Sequence, residues 1–287
     1  MESDSILLRV WSAALMPARP LIVLAIALCL PALAQTPQPA IEKLQALVDR
    51  GEYRPAIDAA TRLIAQSPRL SDAYRLRAAA RRNTNDLAGA LEDSNKAIEL
   101  DPSNARAYGG RAIVKRFLKD PAGSLADVDR ALVLQPGYHQ GYDSRALIRL
   151  EAGDLPGALS DANRAIELQP KTPGYLVRRA SVRRAQKDNV SALADLGRAI
   201  ELNPKEVAAF SMRANIREDS GDHAGELDDL NRALQIDPAN GGYLLRRGTA
   251  RRILKDPAGA MQDLTRAIGI SPTNPEGYFQ RALVHLD

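Results

Sequence analysis

Small and apolar residues recur along this chain at the spacing of one helix face, and the pattern breaks at regular intervals. Leu91, Ser94, Ala97 and Ile98 fall together on a 3.6-residue period, and so do Leu193, Leu196, Ala199 and Ile200. Each such run stops at a proline, which cannot donate to the helical ladder and restrains the residue before it. Those prolines are Pro68, Pro102, Pro136, Pro170, Pro204, Pro238 and Pro272, always 34 residues apart. The pentapeptide KDPAG, at Lys119–Gly123 and Lys255–Gly259, is repeated at four times that step. A fixed period of this length predicts stacked helical hairpins rather than one globular core. Units begin at 37, 71, 105, 139, 173, 207 and 241, with a half unit at 275–287. In the second unit the helices are expected near Ser71–Asn83 and Ala88–Leu100. Asp86, Asp120, Asp154, Asp188, Asp222 and Asp256 precede the second helices, where a carboxylate accepts from free backbone amides.

Small residues recur in the first helix (Ala78, Ala112, Ala146, Ala180, Ala214, Gly248, Ala282) and in the second (Ala56, Ala90, Ala158, Ala192, Ala260). A later alanine follows at 97, 131, 165, 199, 233 and 267, and an aromatic opens the first helix at Tyr74, Tyr108, Tyr142, Phe210 and Tyr278. With the terminal proline, this set resembles the tetratricopeptide repeat, over 37–287. The resemblance implies an all-α, right-handed α-solenoid of seven helix-turn-helix units plus one extra terminal helix. It also implies a concave groove, lined by the first helices, that takes a protein or an extended peptide.

Where that family usually carries leucine, this chain has Arg77, Arg111, Arg145, Arg179, Arg213, Arg247 and Arg281. The second helices carry Asp93, Asp127, Asp161, Asp195, Asp229 and Asp263, each followed three residues on by Lys96, Arg130, Arg164, Arg198, Arg232 or Arg266. The favoured reading is a structural ladder of surface pairs between helices, each contributing about 0–1 kcal/mol; the other is an anion-binding track. Glu226 stands where the other units mostly have alanine, and Arg213 or Arg217 is its expected partner.

By position, the groove candidates are Arg75, Arg82, Asn83, Arg116, Phe117, Asp143, Glu151, Arg184, Asn215, Glu218, Arg252 and Ile253, with Arg106 at the start of the third unit. Units 3, 5 and 7 are basic here and units 4 and 6 acidic, so the underlying unit reads as a pair of repeats. The bands are either a relic of duplication or a surface for a polypeptide of alternating charge. Phe279, Leu283 and Leu286 make the last helix apolar for a cap. Either the chain is truncated there, or this helix pairs with a partner or a second copy.

Residues 1–34 read as a secretory signal peptide. Arg19 precedes the apolar run Leu21–Ala34, which is too short to span a bilayer comfortably, and Ala32-Leu33-Ala34 has the form of a cleavage site. Met16 makes a more compact start. Cys29, the single cysteine, leaves with this segment. Cleavage after Ala34 implies a periplasmic or secreted solenoid, 35–287, with no membrane span. A net charge of +4 and 4% aromatics argue against nucleic acid. His139, His223 and His285 are scattered, and neither a nucleophile–base set, a metal-ligand spacing nor a phosphate loop stands out, so no catalytic, metal or cofactor site is expected. The function read from sequence is therefore a non-catalytic interaction scaffold. The alternative is a regulatory or substrate-docking subunit of an envelope enzyme complex.

Overall fold

The computed structural model describes residues 38–286. The leader, the Met16 start and the cleavage site after Ala34 lie outside the described residues. Fifteen helices follow one another with no strand among the described residues, and none is long and apolar enough to cross a membrane. They are α1 (Gln38–Asp49), α2 (Tyr53–Gln66), α3 (Ser71–Asn83), α4 (Leu87–Leu100), α5 (Ala105–Phe117), α6 (Pro121–Leu134), α7 (His139–Glu151) and α8 (Leu155–Leu168). The series continues with α9 (Pro173–Ala185), α10 (Asn189–Leu202), α11 (Val207–Asp219), α12 (His223–Ile236), α13 (Gly241–Ile253), α14 (Pro257–Ile270) and α15 (Pro275–Leu286). Seven hairpins and a final helix stack as the repeat period predicts. The second helix of the second unit starts one position earlier than expected, at Leu87.

The hairpins close because their termini are satisfied. Asp86, Asp120, Asp154, Asp188, Asp222 and Asp256 each accept from the backbone amide three residues on, at 2.8–3.0 Å. This is the expected cap at every one of the six positions. The turn between helices requires a left-handed residue. Glycine supplies it at 51, 153 and 221, Asn85 once, and Lys119, Lys187 and Lys255 adopt it at φ 62–65°.

Each first helix packs on the second helix of its own unit and on that of the preceding unit. The crossings are made by small side chains: Ala56, Ala90, Ala158, Ala192 and Ala260 are fully buried, as are Ala112, Ala146, Ala180 and Ala214. At Gly248 a Cβ would stand 2.7 Å from Leu264 Cγ, so even alanine would force a shift there. First helices of successive units also approach one another, for example α3 with α5 and α5 with α7. Successive second helices among the described residues show no comparable approach. The stack therefore curves with its first helices on the inside.

Alanine lines the crossings, larger side chains such as Leu76, Leu176, Leu196 and Leu230 are buried beside it, and buried charge adds to the register. In each of six hairpins one aspartate of the second helix is buried between two cations that stand one turn apart on the first helix. Arg77 clasps Asp93 through Nε and Nη2 at 2.8 and 2.7 Å, and Arg81 reaches the same carboxylate at 3.0 Å. The pattern recurs at Asp127 with Arg111 and Lys115, Asp161 with Arg145 and Arg149, and Asp195 with Arg179 and Arg183. It ends with Arg213 and Arg217 on Asp229, and Arg247 and Arg251 on Asp263. The first arginine of each set also lies over the aromatic three residues before it where one is present, as Arg111 does over Tyr108 at 5.5 Å. Most of these arginines then cross to the preceding unit, Arg111 to Asn95 at 2.9 Å and Arg145 to Asp129 at 2.6 Å.

The ladder is thus structural, and its arginines bridge the helices to aspartates as the sequence suggests, but the expected surface exposure does not hold. The aspartates are 1–5% exposed, so these are not surface pairs of small effect. The basic residues three positions after each aspartate do not pair with it: Lys96 bonds Glu99 and Arg164 bonds Glu167. The cations that matter come from the other helix of the hairpin.

Removing a buried anion leaves two cations facing an alanine core. Asp229→Ala is expected to destabilise the solenoid by about 3 kcal/mol. Replacing Asp229, Arg213 and Arg217 together by leucine, methionine and methionine should restore most of that loss. Urea denaturation followed by circular dichroism at far-ultraviolet wavelengths measures both, and a single-variant loss below about 1 kcal/mol, the range of exposed pairs, would contradict the buried-pair account.

Candidate functional site: the concave groove

The inner surface of α1, α3, α5 and α7 encloses a cavity of about 360 Å³. Arg75, Ala79 and Arg82 line it from α3, Arg106, Gly110 and Ile113 from α5, and Gln45 and Asp49 from α1, with Tyr138 and Gln140 at the head of α7. A second cavity of about 270 Å³ adjoins it, lined by Arg82, Asn83, Ile113, Arg116, Phe117, Asp143, Leu147 and Arg178. Arg75, Arg82, Asn83, Arg116, Phe117 and Asp143, six of the residues placed in the groove by register, therefore line one continuous depression.

The remaining candidates lie elsewhere along the same face. Glu151 accepts from Arg116 at 2.9 Å, and Asp219 accepts from Arg184 at 2.8 Å. Glu218 accepts from Arg246 at 3.0 Å, and Asp143 from Arg178 at 3.0 Å. The charge bands thus neutralise each other from unit to unit along the wall. Asn215 and Arg252 are half-buried in α11 and α13, and Ile253 is exposed at the end of α13. In α15, Phe279 and Leu286 are exposed and Leu283 is half-buried.

Arg178, Arg246 and Tyr138 belong to this face and were not among the sequence candidates. Each of the two arginines reaches back to an acid on the first helix of the preceding unit, a pairing visible only once the unit-to-unit offset is known. Tyr138 was legible as a departure from the repeat, since the same position elsewhere holds Leu70, Asn104, Thr172, Glu206, Asn240 and Asn274.

Glu226 is buried at a helix crossing, and its partners differ from expectation. Arg246 of the next unit donates to it at 3.1 Å and His223 lies 3.2 Å away, while Arg213 and Arg217 are committed to Asp229. The spacing within α11 and α12 cannot reveal a partner that enters from α13. Burial pushes the Glu226 carboxyl above the usual glutamate range, and nearby Glu218 adds to this. His223 and Arg246 oppose it.

The tetratricopeptide repeat model matches residues 41–105 and 177–241, two segments that begin four units apart. The fold is a tetratricopeptide-repeat solenoid. It superposes on the crystal structure of the APC/C hetero-tetramer Cut9–Hcn1 with a TM-score of 0.73 at 17% identity, over 84% of this chain. The solenoid spans 48% of that chain, about half its length. A tetratricopeptide repeat protein from Parabacteroides merdae gives 0.62 at 16% identity, over 88% of this chain and all of that one. YrrB, described as a tetratricopeptide repeat protein with an unusual peptide-binding site, gives 0.50 at 20% identity, over 67% and 99% of the two chains. No curated protein matches the solenoid in sequence.

A raised carboxyl value sets the sign of a pH effect. The folded protein holds the Glu226 proton to higher pH than the unfolded chain, so stability falls as pH rises from the ordinary glutamate value through the folded one. Relative to Glu226→Gln, the native protein should lose stability as pH rises above the ordinary glutamate range, until the carboxyl is ionised in the folded protein as well. Denaturation midpoints of the two proteins across this range give the comparison, and a constant difference would show that Glu226 is not strained.

Proposed function

We propose that the solenoid is a non-catalytic scaffold that holds an extended segment of a partner protein in its concave groove, and that it acts outside the cytoplasm. The observation that carries the reading is the depression across α3, α5 and α7. It is continuous over three units, concave, and floored by Ala79, Ile113 and Leu147, with the aromatic ring of Phe117 49% exposed on its wall. A large aromatic left open in a groove is a contact waiting for a partner. The guanidinium of Arg116 lies 4.7 Å over that ring and fixes it in place. The fold supports the same reading, since solenoids of this kind present extended binding surfaces, and YrrB has a peptide-binding site.

Two measurements test the proposal. Peptides selected from a random display library on the full chain should bind Phe117→Glu at least tenfold more weakly, with unchanged helical content by circular dichroism. Unaltered binding would move the contact away from this wall. For export, mass spectrometry of the chain made in its own cells should show a mature terminus at Gln35, and an intact leader would overturn that half of the proposal.

A further inference from the structure

The charges along the groove obey one offset. Arg116 reaches Glu151, and Arg184 reaches Asp219, each one first helix further along and one position on in the repeat. From Arg82 the same step lands on Phe117, which accepts nothing. Arg82 is half-buried and makes no ion pair or side-chain hydrogen bond among the described residues. Burial, with Arg116 nearby, pulls its guanidinium below the ordinary arginine value. Arg106 at the head of α5 also makes no ion pair among the described residues. Arg75 is engaged by Asp72 at 2.7 Å and points Nη2 at Gln45 at 3.5 Å. One carboxylate, Asp49, stands on the lining, and Gln45 donates to it at 2.8 Å.

The far wall is shaped for this cavity. Tyr138 leans across the first turn of α7, and its hydroxyl makes no hydrogen bond among the described residues. Its ring fits because two neighbours are glycine. A Cβ on Gly109 would stand 2.7 Å from Tyr138 Cε1, and one on Gly141 2.7 Å from Cδ1. Gly109 does not follow the repeat: the corresponding positions hold Arg75, Asp143, Val177, Ser211 and Leu245. A non-repeating tyrosine and the two glycines that admit it thus face an arginine that has lost its internal acid. Arg82 and Ile113 also line the adjoining cavity, with Phe117 and Leu147.

We propose that this bay is the acidic-residue subsite of the groove. An aspartate or glutamate side chain of the partner segment enters between Arg82, Arg106 and the Tyr138 hydroxyl. A large apolar side chain beside it enters the adjoining cavity against Phe117 and Leu147. The partner's carboxylate supplies at Arg82 what Glu151 supplies at Arg116, and the charge assistance is strongest where water is most excluded. The inference rests on the peptide-groove reading above and specifies what that groove selects.

Random dodecapeptides displayed on phage, selected in parallel on the full chain and on its Arg82→Ala variant, test it. The native chain should enrich peptides with Asp or Glu within two positions of Leu, Ile, Met or Phe. Selection on Arg82→Ala should keep the apolar preference and lose the acidic one. In calorimetry, a selected peptide should bind Arg82→Ala about tenfold more weakly. Its Glu→Gln counterpart should lose the same factor on the native chain and almost nothing on the variant. Tyr138→Phe, which removes one hydroxyl and keeps the ring, should cost a few-fold. Enriched peptides with no acidic column, or an acidic column that survives Arg82→Ala, would overturn the subsite and leave the groove. No enrichment on the native chain would overturn both.

Discussion

One arrangement governs this solenoid: a carboxylate buried between two cations, repeated in six hairpins. Alanine at the crossings lets the helices approach, but it gives them few shape features to lock against one another. Ridges of methyl groups slide. A carboxylate clasped by a guanidinium through two bonds does not, because its acceptors have one satisfied orientation and lose several kcal/mol in any other. The second cation of each set also bonds a carbonyl in the first turn of the second helix, as Arg217 does with Gly225 at 2.9 Å. One aspartate therefore sets hairpin angle, helix start and, through the arginine's remaining nitrogen, the seat of its hairpin on the preceding unit.

The period, the helix count and the caps were readable from sequence because they depend on neighbours along the chain. Proline ends a helix and aspartate starts one wherever they stand. The ladder was recognised as structural, and its first-helix arginines do bridge to the aspartates of the second helix. Its burial and the second cation one turn on, Arg81 and its equivalents, escaped notice, because both depend on how closely the two helices of a hairpin approach across the turn. Glu226 shows the same blindness one level up, since Arg246 arrives from the following unit. Groove positions followed from register alone, whereas the pairing of the charge bands needed the inter-unit offset. Tyr138 sits in a turn, where departures from a repeat are easily taken for noise.

The groove combines regularity with one exception. Over units 3 to 7 its cations and anions satisfy each other, which leaves a wall with little net field. Between units 2 and 3 the compensation is missing at Arg82, the wall there is basic, and two adjoining cavities open on the floor. Specificity in such a molecule comes from the place where the repeat is broken, and the regular part serves as the frame that holds the break in shape.

The two charge systems also differ in how they tolerate copying. The buried ladder pairs each aspartate with two cations of its own hairpin, so a whole unit could be lost or gained without orphaning an aspartate. The wall pairs join a basic unit to an acidic one. Loss of one of the inner units 4 to 6 would set like against like, and there only steps of two units leave the alternation intact. The array is therefore modular in ones by its core and in twos by its surface, so descendants of this chain should differ in length by two repeats at a time.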